Sequence, residues 1–372
     1  MCSRMKWHCF SHQLQLQHTD HMKIFYAVQA TGNGHISRAN AILPLLQKYG
    51  EVDVFLSGTN SGLKTALPVA YRSKGISLQY DLTSGGVDVR KTMASFRLRK
   101  LWSEAKYLPV EKYDLVINDF ECITSLACKL KGIRSVHFGH QASFASKKVP
   151  RPEKINRIGE WVLANYAGGS RSVGLHFKQY DAHVFSPIIK PSILHADPVD
   201  GGHVSVYLGQ YSDDIIMQQL LKLKKTRFHL FSRTAENISQ VDHVTIMPIS
   251  QSLFDNSLIN CHGIITGAGF ETPSEALYLG KKLMVMPMKG QYEQLCNAAA
   301  LKDFNVCVVT TMDDYFPTWF NKWMFESAPT ERLELSNPVQ SIIGEVVHPA
   351  TAYPPSNEME DFTAIDPTPF LV

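Results

Sequence analysis

Short apolar runs, each followed by a helical pattern, recur along this chain in two sets. No other feature restricts the fold as strongly. The first set is 23–28 (KIFYAV), 52–56 (VDVFL), 114–118 (DLVIN) and 133–138 (IRSVHF). The second is 204–208 (VSVYL), 227–231 (RFHLF), 244–247 (VTIM), 262–266 (HGIIT), 282–286 (KLMVM) and 306–310 (VCVVT). Runs that are apolar on both alternating faces belong to strands covered on both sides, which means parallel sheets under helices. Two sets predict an α/β chain of two doubly wound, Rossmann-like domains. The segment 186–202 (SPIIKPSILHADPVDGG) is rich in Pro, Gly and Asp and reads as the linker. The expected domains are therefore 22–190 and 191–345. Residues 1–21 are expected to be a disordered extension, with Met22 opening the folded part and serving as a candidate translation start. Residues 346–372 carry five prolines and no periodicity, and are expected to be a disordered tail.

Composition agrees with this plan. A length of 372 residues suits two domains. The net charge of +3 does not call for nucleic acid as partner. No apolar run is long enough for a transmembrane helix. The seven cysteines form no CxxC pair, which fits reduced cytoplasmic usage rather than a disulfide framework. His8, His12, His18 and His21 cluster near the start but lack a regular metal-ligand spacing.

Two stretches carry chemistry. Strand 23–28 runs into ATGNGHISRA, where Gly32 and Gly34 allow a tight turn and close approach of a ligand to a helix N-terminus. A nicotinamide fingerprint would need a third glycine where Ser37 stands, and Asp53 lies inside its strand rather than at its end. His35 sits on the first helical turn. There it reads either as a general base in the crevice at the strand ends or as a histidine packing the turn.

The second stretch is TGAGFETPSEALYLGKKLMVMPMKGQYEQLCNAAAL, from Thr266. Gly267, Gly269 and Thr272 at a helix start form an anion site. Glu275, one turn in, suits ribose hydroxyls. Gln291, Glu293, Gln294 and Asn297, in the loop and helix after the next strand, suit a polyol. Together these residues describe a phosphate-plus-polyol site.

These motifs resemble those of GT-B glycosyltransferases: the bacterial peptidoglycan N-acetylglucosaminyltransferase, plant galactolipid synthases and the UDP-glycosyltransferases. The resemblance covers roughly 22–310. It implies two domains facing a cleft and transfer of a sugar from a nucleotide diphosphate donor, UDP by family default, to an acceptor hydroxyl of a lipid, glycan or cell-envelope precursor. By the same resemblance Gly32 and Gly34 lie on the donor side, and Gly267, Gly269 and Thr272 hold the diphosphate. Glu275 binds ribose, Glu293 and Gln294 hold the donor sugar, and Asn297 lies beyond them. His35 matches the base and Asp119 the aspartate that orients it, with Glu121 as a substitute two residues on. Direct attack by the acceptor inverts the anomeric centre, and no cofactor or metal is called for. Two departures stand out. Phe270 and Glu271 precede Thr272, and the plant enzymes' base-stacking tryptophan has no counterpart.

Further readings concern the acceptor side. His140 and Gln141 follow a strand and are candidates to line the acceptor crevice. The basic run 90–106, with Arg90, Lys91, Arg97, Arg99, Lys100 and Lys106 among Leu98, Leu101 and Trp102, is a candidate for an anionic membrane surface. A peripheral position on the inner face of the membrane would follow. Trp319, Trp323 and Phe325 are expected to pack where a terminal helix crosses back to the first domain. Asp114 and His262 read as structural. Two alternatives stay open: a nucleotide-sugar 2-epimerase of the same fold, and a non-catalytic nucleotide-sugar or lipid-binding protein.

Overall fold

The computed structural model describes residues 22–58, 67–76, 80–83, 85–87 and 98–348. The expectations for 1–21 and for 349–372 lie outside these residues, as do Arg90, Lys91 and Arg97.

Each set of strands forms a seven-stranded sheet. In spatial order the first is Val69–Ser73, Gly50–Ser57, Met22–Gln29, Leu115–Asp119, Val136–Gly139, Arg171–Leu175 and Val184–Phe185, all parallel. The second is Ser239–Val241, Val244–Pro248, Arg227–Ser232, His203–Tyr207, Gly263–Gly267, Lys282–Met286 and Cys307–Val308. It is parallel except for the exposed edge strand Ser239–Val241. The reason is visible in the burial. Met22–Gln29 is buried from Ile24 onward and Leu283–Met286 throughout, so neither strand keeps a solvent face.

The apolar runs foretold the central strands and the edge strand Cys307–Val308, and missed the other peripheral ones. Val69–Ser73 (VAYRS) is only half-buried, and Val184–Phe185 has two residues. Arg171–Leu175 opens on the polar pair Arg171-Ser172, which hides it among loop residues.

In both sheets the strand order reverses between two neighbours: Met22–Gln29 with Leu115–Asp119, and His203–Tyr207 with Gly263–Gly267. Ligands of open α/β sheets bind outside the strand ends at such a reversal. The registers Val28↔Asp119 and Tyr207↔Thr266 put the ends of both pairs side by side.

Two apolar clusters join the two units: a small one sets Tyr292 and Cys296 against Phe144, Val149 and Leu163, and the other is larger. It runs from Tyr26 and Phe138 through Phe177 to Phe270 and Leu283. Phe177 and Phe270 lie 5.2 Å apart, and the His140 ring stacks on Phe270 at 4.1 Å with planes 6° apart.

The chain then returns to the first unit, by a different element from the one expected. Trp323 is buried with Phe316 and Phe320 in the second unit, and its indole N–H donates to the Leu283 carbonyl at 3.2 Å. Trp319 and Phe325 are exposed. The crossing helix is Val339–Val347, which buries Ile342, Ile343, Val346 and Val347 against the first unit's helix Asn33–Leu46 and strand Arg171–Leu175. Arg171 Nη2 donates to the Val346 carbonyl at 3.2 Å. The expected tail boundary at 346 is thus two residues early, because the apolar spacing of VQSIIGEVV continues the helix to Val347.

Candidate active site at the two sheet reversals

Helix Asn33–Leu46 starts directly after the glycine loop, with Gly32 as its N-cap. It carries His35 and Arg38 on the face toward Asp119, the last residue of Leu115–Asp119. His35 Nδ1 lies 2.8 Å from Asp119 Oδ1. The His35 side chain is 13% exposed, and Asp119 is fully buried. Arg38 grips the same carboxylate, with Nη2 at 2.7 and 2.9 Å and Nε at 3.2 Å. Burial alone would raise the Asp119 carboxyl. Arg38 first, and His35 second, outweigh that and hold it at about 2. Asp119 is therefore a permanent anion against the imidazole. A carboxylate accepting from Nδ1–H leaves Nε2 as the basic nitrogen.

Glu121 does not share this role. Phe120 takes a left-handed backbone, φ 54°, and turns the chain between the two acids. Glu121 then caps helix Cys122–Lys131, accepting from the amides of Ile123 at 3.0 Å and Thr124 at 2.6 Å. Asp53 binds Tyr113 Oη at 2.6 Å inside its strand, away from any ligand crevice. Asp114 and His262 are structural, bonded to the Lys23 amide and to Asp200 respectively, each at 2.8 Å.

The opposite wall comes from the second unit. Strand Gly263–Gly267 ends at the glycine loop, and helix Glu271–Tyr278 follows. A Cβ on Gly269 would meet nothing within 4 Å, and one on Gly267 would meet only the Gln294 and Gln210 amides near 3.6–4.0 Å. The fold does not need these glycines for packing, so space is left above the loop. Glu271, the acid that departs from the family pattern, pairs with Arg38 across the two units beside Gly34.

Glu275 is buried in an ion cluster. Lys190 Nζ lies 3.0 Å from its Oε1 and 2.7 Å from Asp255 Oδ1. Burial pushes Glu275 up. Lys190 pulls it back, but that one lysine is shared with Asp255, and Glu275 ends at about 7. Lys190, Asp255, Glu275 and Thr272 line a cleft together with Asn33, Gly34 and the aromatics Tyr207, Phe231 and Phe254. Phe254 lies 5.0 Å from Phe231 and 5.8 Å from Tyr207. These aromatics stand in the cleft of a chain without the plant tryptophan. Sequence reasoning missed them, and Lys190 too. The only trace of Lys190 was a lone cation in the apolar run PIIKP of the linker.

The remaining expected site residues are placed less openly. Asn297 is fully buried, with Nδ2 donating to the Ala268 carbonyl at 3.0 Å and Oδ1 accepting from His140 Nε2 at 2.7 Å. Both partners of that last bond were expected to face substrates, and here they face each other. The Gln294 amide is engaged in its own loop, with the Met288 amide and Gln291 Oε1 each at 2.9 Å. Glu293 lies 3.8 Å from His140 Nε2, between the units. Gln141 is buried in the turn Gln141–Ala145, and its Oε1 has no partner among the described residues.

Two doubly wound units meeting across a cleft, one wall formed by the start of the helix that carries His35 and the other by the helix that follows the second glycine loop, define a glycosyltransferase of the GT-B fold. The sequence profile described as glycosyl transferase family 1 matches residues 22–324, and the chain belongs to that family. The chain is accordingly an enzyme of glycosyl transfer. Among solved structures it is similar to UGT89C1 of Arabidopsis thaliana complexed with UDP. That match has 13% identity and a TM-score of 0.51, covering 87% of this chain and 93% of that one. It is also similar to the glycotransferase of kitacinnamycin, with 14% identity and a TM-score of 0.51, covering 88% and 94%. At these identities the likeness concerns the fold. No curated protein matches the chain in sequence.

Proposed function

We propose that the chain moves a sugar from a nucleotide diphosphate donor, UDP first among the candidates, to an acceptor hydroxyl. The observation that carries this reading is His35 on Asp119 at 2.8 Å, on the same helical turn as Asn33, Gly34 and Ser37, which line the cleft opposite Glu271, Thr272 and Glu275. In this reading residues 191–345 bind the donor and 22–190 bind the acceptor. Gly267, Gly269 and Thr272 hold the diphosphate. Glu275, with Lys190 and Asp255, meets the nucleoside sugar, and the aromatic wall of Tyr207, Phe231 and Phe254 meets the base. Glu293 and Gln294 stand nearest the transferred sugar. Bare Nε2 of His35 takes the acceptor's proton as its oxygen attacks the anomeric carbon, and the nucleotide diphosphate leaves as an anion held by the helix start. Attack from the face opposite the leaving group inverts that carbon.

A lipid or envelope-precursor acceptor is the finer part of the proposal. It is supported by helix Leu98–Tyr107, which exposes Leu98, Trp102 and Tyr107 beside Arg99, Lys100 and Lys106. No helix among the described residues is long and apolar enough to cross a membrane. A peripheral helix of this kind would bind anionic vesicles and lose them on charge reversal at Arg99 and Lys100. Vesicles that never sediment the wild type would remove the lipid part.

The test of the main reading is a thermal-shift screen of the full chain against free nucleotides and nucleotide sugars. A ligand well above its Kd stabilises by roughly 2–4 kcal/mol. A UDP-specific shift, followed by UDP release that depends on added acceptor, is expected. Release of an altered nucleotide sugar without acceptor would point to the epimerase instead. No shift with any nucleotide would overturn the reading.

A further inference from the structure

Arg38 is not used by the mechanism above, yet it is the most heavily partnered side chain of the site. It is a cation with a side chain 2% exposed, on the same helix face as His35. Its Nε and Nη2 hold both oxygens of Asp119. Its Nη1 leaves the first unit altogether and pairs with Glu271 on the first turn of helix Glu271–Tyr278. A guanidinium is a planar fork, so one edge fixes the plane of a carboxylate while the other nitrogen remains available. We propose that Arg38 is the positioning residue of the base: it clamps the carboxylate that orients His35, and its tie to Glu271 sets that clamp only when the two units are in contact.

The proposal rests on the reading of His35 as base. The clamp has one consequence that packing alone would not have. With Asp119 fixed, Oδ1 stays in front of His35 Nδ1, and the ring keeps its proton there. Arg38 Nη2 also lies 3.0 Å from the same Nδ1 in hydrogen-bonding geometry; its two hydrogens are shared among that nitrogen and the carboxylate oxygens at 2.7 and 2.9 Å, so the ring keeps its proton on Nδ1 only while the clamp directs them to Asp119. Other ionisable groups around the pair are Tyr26, whose hydroxyl lies 3.5 Å from Asp119 Oδ2, His137 on the adjoining strand and Glu293 from the second unit. None of them touches His35 Nδ1, so the tautomer depends on Asp119 and its clamp.

The experiment is side-chain ¹H–¹⁵N NMR of the histidine rings in the full chain without substrate, at a pH where the His35 ring is neutral. The His35 signals are assigned by their loss in His35→Asn. The wild type is expected to show the Nδ1–H tautomer alone. Arg38→Gln frees Asp119 to rotate and should give both tautomers. Glu271→Gln should give the second tautomer at a lower fraction, with its circular dichroism and thermal midpoint near wild type. If Arg38→Gln does not fold, Arg38→Lys replaces it, since a point charge cannot clamp both oxygens, and the same mixture is expected. A single Nδ1–H tautomer in the Arg38 variant, an Nε2–H tautomer in the wild type, or a Glu271→Gln spectrum identical to wild type would each overturn the proposal. The nucleotide screen is separate, so failure of the transferase reading and failure of the clamp give different patterns.

Discussion

His140 and Asn297 stand 157 residues apart in the sequence, and their side chains meet at 2.7 Å between the two units. The Asn297 amide also donates to the Ala268 carbonyl of the glycine loop at 3.0 Å, which fixes its orientation. His140 Nδ1 lies 3.0 Å from the Leu175 carbonyl. One buried pair thus ties the first unit's strand ends to the loop that opens the second unit's helix. Asn297→Ala would leave the His140 N–H and the Ala268 carbonyl without partners, at a cost of about 1–3 kcal/mol. Urea denaturation measures this, and an unchanged midpoint would mean that the bond adds nothing to the contact between the units.

His35→Ala should lower the transfer rate by about 10²–10⁴-fold, the usual contribution of a positioned general base. Nucleotide affinity should hardly change, because His35 stands on the wall opposite the proposed diphosphate loop. Calorimetric titration with UDP beside a UDP-release assay separates the two effects. Equal loss of both would place His35 in binding rather than in proton transfer.

Gly269 offers a cleaner probe of the donor loop. A Cβ there meets no atom within 4 Å, so Gly269→Val should leave stability within about 0.5 kcal/mol of wild type. The added methyls would occupy space proposed for the diphosphate, and UDP binding should be lost. A variant that binds UDP normally would move the diphosphate away from this loop.

Glu275 predicts a pH dependence of stability. Its carboxyl is raised from 4.5 to about 7 in the folded chain, so the folded state holds a proton that the unfolded state has released across that window. The contribution is fully present below about pH 4.5 and is lost as pH rises through about 7, an order of about 2–3 kcal/mol. Glu275→Gln cannot titrate, and its stability should fall less across the same range. Parallel curves of denaturation midpoint against pH for the two proteins would contradict the raised value.

Helix Val339–Val347 makes a further prediction. It buries four aliphatic side chains against the first unit, and full burial of each contributes roughly 1.5–3 kcal/mol. A chain ending at Pro338 should lose several kcal/mol, expose the apolar surface of Asn33–Leu46 and aggregate. A chain ending at His348 should remain soluble with a thermal midpoint near that of the full chain. Size-exclusion chromatography of the two truncations tells them apart, and equal behaviour would show the crossing helix to be dispensable.

Much of the fold was legible because central parallel strands must be apolar on both faces, as in KIFYAV and KLMVM. The two glycine loops were legible because a strand that runs through Gly-x-Gly into a helix leaves few other geometries. Edge strands such as VAYRS were not, since one exposed side removes the continuous apolar signal. The residues of the second switch point were proposed in sequence order, yet chain order says nothing of which polar atom finds which partner. Folding closed Asn297 onto His140, Glu275 onto Lys190 and Glu271 onto Arg38, pairs 157, 85 and 233 residues apart. By itself the sequence determined two doubly wound units and their glycine loops, because these follow from local periodicity; the pairing of His35 with Asp119 was implied only by the family resemblance, with Glu121 left as a substitute. Only the tertiary structure decided which expected ligand groups remain open to the cleft. A buried polar atom left without a partner costs free energy, and which partner lies within reach is set by how the two units meet.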